Sequence, residues 1–173
     1  HHVDRIERLV RTLLTYSRDP VEALGDTDLG HTLRSTAEQF RPTFEGQNKH
    51  LVLEWNDPLP SVRGDSVLLQ QVLNSLLSNA LEACGPQATV TVKATTRDDA
   101  VMIAVEDHGD GIPADQLADV FRPFYTTKPR GLGMGLALVK RVLDRLGGSV
   151  DIRSAPGQGT TVTLHLPIAG APA

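Results

Sequence analysis

The residues best suited to chemistry are polar side chains on one predicted helix and the glycine-bearing segments that follow it. Ser75 and Asn79 stand four residues apart within an apolar run, so they share one face of that helix. Glycine is needed where a backbone approaches a ligand closely or adopts positive φ, and glycines recur in residues 107–111, 131–136 and 157–160. Several such segments in one chain predict that they bind one common ligand, which we expect to be a nucleotide.

A phosphate site is predicted where the second glycine-bearing segment opens a helix. Gly131, Gly133 and Gly135 stand at the start of an apolar pattern over residues 136–146, and unpaired amides at a helix start attract anions. Lys128 and Arg130 lie just before this helix. They could neutralise phosphate charge, or they could be solvated loop cations. Neither the Walker pattern nor the dinucleotide pattern occurs, which disfavours the folds that carry them.

The elements that must position these residues alternate between helix and strand. Apolar spacing predicts helices over 29–45 and 136–146, and a third that Asp65 or Ser66 caps and that ends near Gly85. Alternating apolar residues predict strands over 51–55, 90–94, 101–105, 150–153 and 161–166, with a turn at 97–99. The expected fold is an α/β (α+β) sandwich, with one mixed sheet covered on one face by helices.

The first residues of the chain form a separate pattern. An amphipathic helix is predicted from the three-four-three spacing of Val3, Ile6, Val10, Leu13 and Ser17. Asp19-Pro20 ends it, because proline disfavours helical geometry in the residue before it. The apolar stripe needs a partner, which could be the helix's own domain or a bundle of helices.

Composition narrows the class of protein. The 173 residues suit one domain plus an appendage, and 40% hydrophobic content can supply a core. No run approaches the roughly 18 apolar residues of a membrane span and no signal peptide is visible, so we expect no membrane contact by this chain. A net charge of -4 gives no reason to expect nucleic acid as a partner. Cys84 is the only cysteine, which fits a reducing, cytoplasmic setting.

In their order, these segments resemble the N, G1, F, G2 and G3 boxes of the ATP-binding catalytic domain of bacterial sensor histidine kinases. The F-like element is residues 120–128, and the resemblance covers nearly the whole chain. The short segment between Phe124 and Gly131, the ATP lid of that family, resembles the nitrogen-regulation branch. The resemblance implies a Bergerat-type ATP-binding fold with ATP and Mg²⁺ as ligands. It also implies a dimerisation and histidine-phosphotransfer helix at 1–18, a linker at 19–25, a catalytic domain at 26–168 and a tail at 169–173.

The resemblance assigns roles to individual residues. Asn79 matches the asparagine that coordinates magnesium, and an amide oxygen suits that hard cation. Asp107 matches the aspartate that accepts a hydrogen bond from the exocyclic amine of adenine. The other residues implied for the nucleotide site are Gly109 and Gly111 near the base, Thr160 supporting the base through its hydroxyl, and Lys128, Arg130, Gly131, Gly133, Gly135 and Leu136 around the phosphates.

Two positions depart from the family pattern. Ser75 stands where related ATPases such as gyrase carry a glutamate that acts as general base, and where many histidine kinases have a second asparagine. A serine cannot take a proton from water without further activation, so efficient ATP hydrolysis is disfavoured. Asn74 is one residue off and points about 100° away. Glu82 falls where some relatives have a basic residue toward phosphate, which puts that contact in doubt.

The predicted function is that of a catalytic domain that positions Mg-ATP for transfer of the γ-phosphoryl group to a histidine, and from there to an aspartate of a response regulator. His1 and His2 lack the acidic residue and the proline of an acceptor motif, so we expect this chain not to label itself. The expected partners are the phosphotransfer helix, a receiver domain and a second copy in the full-length protein, which is cytoplasmic or anchored in the inner membrane. The alternatives are a hydrolysing ATPase of the same superfamily and a non-catalytic interaction module.

Overall fold

The computed structural model describes residues 25–128 and 131–170. The helices are α1 (Leu29–Gly46), α2 (Ser66–Ala83), α3 (Ala114–Leu117) and α4 (Gly135–Arg145). The strands are β1 (Gly25–Thr27), β2 (His50–Glu54), β3 (Val62–Gly64), β4 (Thr89–Arg97), β5 (Ala100–Asp107), β6 (Ser149–Ala155) and β7 (Gly159–Pro167). The predicted helix over 1–18, Arg130 and residues 171–173 lie outside the described residues, as does the predicted linker except Gly25.

The main sheet has the strand order β2-β4-β5-β7-β6. Only β2 and β4 run parallel, since α2 connects them as a crossover, and the other neighbours are antiparallel. This confirms the predicted mixed sheet. β5 and β7 are adjacent although far apart in sequence, and their register pairs Asp107 with Thr160 at one end. The pairing brings the first and third glycine-bearing segments to the same edge of the sheet.

The core lies between the sheet and the three longer helices. Val101, Ile103 and Val105 alternate inward along β5 and are almost fully buried. They belong to the same buried cluster as the apolar stripe of α2, which consists of Leu68, Leu69, Val72, Leu73, Leu76, Leu77, Ala80 and Leu81. The intervening residues of β5 are less buried, and Lys93 of β4 pairs with Glu106 of β5 at 2.7 Å. The predicted cover of helices on one sheet face is therefore confirmed.

Both ends of α2 are held by side chains. The Asp65 carboxylate accepts hydrogen bonds from the amides of Val67 and Leu68 at 2.6 and 3.3 Å, so of the two predicted caps Asp65 is the one observed. At the other end the buried Lys49 ammonium donates to the Leu81 carbonyl at 2.7 Å. A cation at this end also complements the helix dipole. These contacts fix the helix that carries Ser75 and Asn79.

The predicted elements are found, with small differences in their ends. α4 starts at Gly135, so this glycine is the first residue of the helix that was predicted from residue 136. Trp55 lies just beyond β2, and Asp98 and Asp99 form the turn between β4 and β5. The small antiparallel pair of β1 and β3 and the short α3 were not predicted, because three or four residues carry too little periodicity. In the described part, no helix is long and apolar enough to cross a bilayer.

Candidate functional site

Asp107 sits at the centre of the site, where β5 ends beside β7. Its Oδ1 atom accepts hydrogen bonds from the amides of Gly109 and Thr160 at 2.9 and 3.2 Å. Among residues 25–128 and 131–170, no protein group hydrogen-bonds its Oδ2 atom. One carboxylate oxygen thus anchors the side chain, and the other is available as a ligand acceptor.

The environment of Asp107 perturbs its ionisation. Partial burial raises the pKa of the carboxyl above its ordinary value, because desolvation disfavours the charged form. The amides of Gly109 and Thr160 act in the opposite direction, as do the charges of His108 and Lys128. A partly desolvated carboxylate with a perturbed pKa at the end of a strand is typical of a functional site.

The loop after Asp107 is clamped between α2 and the turn that joins β6 to β7. The Asp110 amide donates to the Ala83 carbonyl at 3.3 Å, and the Asp110 carbonyl accepts from the Gly157 amide at 2.7 Å. Gly111 has a φ of +71°, and a Cβ atom there would lie 1.9 Å from the Ala155 carbonyl oxygen. The predicted residues Gly109 and Gly111 therefore serve first to pack this loop against its neighbours.

Ser154 on β6 was not predicted from the sequence and ties this loop to β7. Its hydroxyl accepts a hydrogen bond from the Ile112 amide at 2.8 Å and donates to the Gly159 carbonyl at 2.8 Å. It also lies 2.8 Å from the Thr160 hydroxyl. The strand alternation of β6 indicates that Ser154 points inward, but no motif distinguishes it from an ordinary strand serine. Its role depends on contacts that a single sequence does not reveal.

The second half of the site lies where α2 meets the start of α4. A Cβ atom on Gly135 would lie 2.7 Å from Ser75 Oγ and 3.5 Å from Asn79 Nδ2, so the two helices touch at this glycine. No hydrogen bond to the Asn79 side chain occurs within the described residues. Its amide oxygen fits magnesium chemistry, and the remaining ligands of such an ion would have to come from phosphate and water. The described residues contain no cluster of three or more His, Cys, Asp or Glu side chains that would hold a metal by itself.

The start of α4 offers backbone donors. Its first helical hydrogen bond runs from the Leu138 amide to the Met134 carbonyl at 2.9 Å, and no side chain of the described residues caps this end. The amides of Gly135, Leu136 and Ala137 precede that bond and are the donors that a helix start leaves unpaired. Gly133 lies just before them, and its carbonyl accepts from the Phe124 amide at 2.8 Å. This arrangement can bind an anion such as phosphate.

Lys128 lies at the mouth of the site but is not free. Its ammonium pairs with Glu82 Oε2 at 2.9 Å, and both side chains are about half exposed. The backbone of the same loop is closed by a hydrogen bond from the Gly131 amide to the Lys128 carbonyl at 3.0 Å. Glu82 lies one turn beyond Asn79 on α2. The departure noted at Glu82 thus places a carboxylate beside the Lys128 ammonium, where it would compete with a ligand phosphate for this cation.

Removal of that competing carboxylate should strengthen phosphate binding. In Glu82→Gln, Lys128 no longer has an ionic partner, so we expect ADP to bind about two- to fivefold more tightly, the scale of an exposed ion pair. Calorimetric titration at low ionic strength measures this change. Adenosine lacks phosphates and serves as the control, since its affinity should not change. An equal gain for adenosine, or no gain for ADP, would contradict this role of the pair.

The two halves of the site are connected by one turn of α2. Ala83 touches the loop at Gly109, and Asn79 touches α4 at Gly135, so about 6 Å along the helix axis separates the two contacts. The structure brings Asp107, Gly109, Gly111 and Thr160 together at one end and Asn79, Gly131, Gly133, Gly135 and Leu136 toward the other. Lys128 lies between them, because it pairs with Glu82 and its charge also acts on Asp107. Phe124, which precedes the loop, has a φ of +67° and is 66% exposed, so it is not a core residue.

Known proteins resemble this chain in sequence and in structure. It is 36% identical over 165 residues to the sensor histidine kinase ZraS of Escherichia coli strain K12, which covers 95% of the chain and 36% of ZraS. Full-length ShkA in complex with AMPPNP superposes with a TM-score of 0.84 at 27% identity, over 100% of this chain and 37% of ShkA. Histidine kinase ThkA in complex with response regulator protein TrrA gives a TM-score of 0.82 at 25% identity, over 97% of this chain and 48% of that one.

The family match covers the part of the chain that holds the candidate site. Residues 64–170 match the family described as histidine kinase-, DNA gyrase B-, and HSP90-like ATPase. That range contains Asn79, Asp107 and Thr160 and the strands that position them. The mixed sheet with helices on one face is the Bergerat-type fold that was predicted. The chain belongs to the histidine kinase-, DNA gyrase B-, and HSP90-like ATPase family.

Proposed function

We propose that the chain is the ATP-binding catalytic domain of a sensor histidine kinase. It spans about a third of the length of ZraS and of ShkA, so the activity of the whole protein is part of the proposal. The observation that carries it is the Asp107 carboxylate, held by two backbone amides through Oδ1 with Oδ2 available. Asn79 contacts the open start of α4 one turn of α2 before Ala83 contacts the loop that follows Asp107, so the two ends of the site offer separate places for the base and for the phosphates.

The proposed binding mode assigns one task to each end of the site. Asp107 Oδ2 accepts a hydrogen bond from the 6-amino group of adenine, and a base with a carbonyl there leaves the acceptor unpaired. The amides of Gly135 and Leu136 bind phosphate oxygens, with Lys128 as a further cation. Asn79 would hold magnesium, which neutralises charge on the phosphates. The chain orients the γ-phosphorus for attack by a histidine ring nitrogen supplied by the phosphotransfer helix.

Ser75 favours transfer to a protein over hydrolysis by water. Its hydroxyl faces the start of α4, and it has no carboxylate to remove a proton from an attacking water. The proposed partners follow from the relatives. A histidine kinase of similar fold is known in complex with a response regulator, and we extend to this chain a receiver domain, the phosphotransfer helix and a homodimer of the full-length protein.

The proposal is tested by calorimetric titration of the chain with a non-hydrolysable ATP analogue and with its guanine counterpart, each with and without magnesium. We expect adenine-selective binding that magnesium strengthens. Absence of binding by the unaltered chain would reject the proposal and favour a non-catalytic interaction module. Steady phosphate release from ATP at several turnovers per second would favour a hydrolysing ATPase instead.

Loss of the Asn79 side chain should separate the metal contribution from the rest of the binding energy. In Asn79→Ala we expect the enhancement by magnesium to fall on the order of tenfold, because one oxygen ligand is lost. Binding without magnesium should stay near the value of the unaltered chain, which is the internal control. A variant that retains the full magnesium enhancement would exclude Asn79 as the ligand.

A further inference from the structure

The hydroxyl of Ser154 is at the centre of three hydrogen bonds of equal length. The Ile112 amide, the Gly159 carbonyl and the Thr160 hydroxyl each lie 2.8 Å from its oxygen. A serine hydroxyl has one proton to donate and two lone pairs to accept with. Three partners therefore use the full hydrogen-bonding capacity of the Ser154 hydroxyl. The chemistry of these partners decides which of them donate and which accept.

The proton directions follow from the chemistry of the partners. The Ile112 amide can only donate, and the Gly159 carbonyl can only accept. Ser154 must then give its single proton to Gly159. The bond between Ser154 and Thr160 is left to be donated by Thr160, which uses the only proton of the Thr160 hydroxyl.

The hydrogen bonds that the Thr160 hydroxyl can make to a ligand are consequently restricted. With its proton directed at Ser154, its oxygen can only accept a hydrogen bond. The Thr160 amide is bonded to Asp107 Oδ1, so this hydroxyl and the Asp107 carboxylate belong to the same cluster. Asp107 Oδ2 is also an acceptor while the carboxyl is ionised. The side chains of Thr160 and Asp107 therefore present only hydrogen-bond acceptors to a ligand.

We propose that Ser154 is a positioning residue that sets base selectivity by orienting the Thr160 hydroxyl. This inference rests on the proposed nucleotide-binding function and deepens it. A purine with an amino group at position 6, or a water that bridges to it, donates to the acceptor cluster. A purine with a carbonyl at position 6 finds no donor on Asp107 or Thr160. Without Ser154, the Thr160 hydroxyl is free to rotate and donate to such a carbonyl.

The test compares ADP with IDP, which differ at position 6 of the base and cannot serve as phosphoryl donors for a kinase reaction. In Ser154→Ala we expect the ratio of the IDP to the ADP dissociation constant to fall about tenfold, the scale of one hydrogen bond. A purely structural role would weaken both nucleotides and leave the ratio unchanged. Ser154→Thr keeps a hydroxyl and is expected to keep the ratio of the unaltered chain.

A second variant makes the test independent of how well Ser154→Ala folds. Thr160→Val removes the acceptor that Ser154 orients, so ADP should bind more weakly while IDP loses no hydrogen bond, and the ratio should again fall. In the double variant no further fall is expected, because the two side chains act through one hydrogen bond. An unchanged ratio in either single variant, or additive falls in the double variant, would overturn the proposal. No ADP binding by the unaltered chain would instead reject the proposed function.

Discussion

Asp107→Asn is expected to remove adenine selectivity while the domain stays folded. The asparagine Oδ1 atom can still accept from the amides of Gly109 and Thr160, so its NH₂ group replaces the free Oδ2 acceptor. That group is a donor and opposes the adenine 6-amino group. Loss of a hydrogen bond to a charged group predicts roughly 10- to 150-fold weaker ADP binding. IDP binding should improve, because its carbonyl can accept from the new donor.

The same substitution should not destabilise the protein at neutral pH. Burial raises the pKa of Asp107 above 3.8, so the folded state binds the proton more tightly than the unfolded state does. The free energy of unfolding then falls as pH rises from 3.8 through the raised pKa. A neutral asparagine avoids this loss, and above that window we expect its melting temperature to equal or exceed that of the unaltered chain.

A matched control is available on the same strand. Glu106 precedes Asp107 on β5, but its carboxylate pairs with Lys93 at 2.7 Å. Glu106→Gln should therefore leave the IDP to ADP ratio unchanged. Calorimetry with both nucleotides and thermal unfolding across the acidic range provide the measurements. Retained adenine selectivity in Asp107→Asn would show that another group recognises the base.

Gly111→Ala is expected to have the largest effect on stability. The new Cβ atom would lie 1.9 Å from the Ala155 carbonyl oxygen, in a backbone conformation with a φ of +71° that alanine rarely adopts. Overpacking and positive φ each cost about 1–3 kcal/mol, so we expect a loss of about 2–6 kcal/mol. Domains are stable by only about 5–15 kcal/mol, which makes this loss visible as a large shift of the urea midpoint.

Gly157→Ala separates the steric cost from the conformational one. Gly157 also has a φ of +71°, but a Cβ atom there meets no other atom within 4 Å. Only the backbone term remains, and a loss of about 1–2 kcal/mol is expected. Similar midpoints for the two variants would show that the loop of residues 108–112 is not clamped against β6 as described.

The parts of the site that lie on long periodic elements were predictable from the sequence. The apolar stripe of α2 fixes which residues face the core, and thus that Ser75 and Asn79 share another face. Asp107 was recognisable because an alternating strand ends at a carboxylate followed by glycines. In these cases the position of a residue follows from the periodicity of the helix or strand that carries it.

The remaining features depend on contacts between distant segments. Ser154 acts on Ile112, which lies 42 positions earlier in the chain, and Lys128 pairs with Glu82, 46 positions earlier. Periodicity reports which face of an element is buried but not which distant residue it meets. The sequence thus indicated Lys128 as a candidate cation for phosphate or a solvated loop charge, and Glu82 as a departure, but not that the two side chains pair.

The hydrogen bond from the Phe124 amide to the Gly133 carbonyl joins the two ends of residues 125–132 at 2.8 Å. Because this bond holds Phe124 and Gly133 together, we expect the positions of the sheet and of α4 to be insensitive to the length of the chain between them. Each doubling of such a loop costs only roughly 0.6 kcal/mol in closure entropy. We therefore expect longer segments inserted between Phe124 and Gly133 to cost little in the free energy of unfolding.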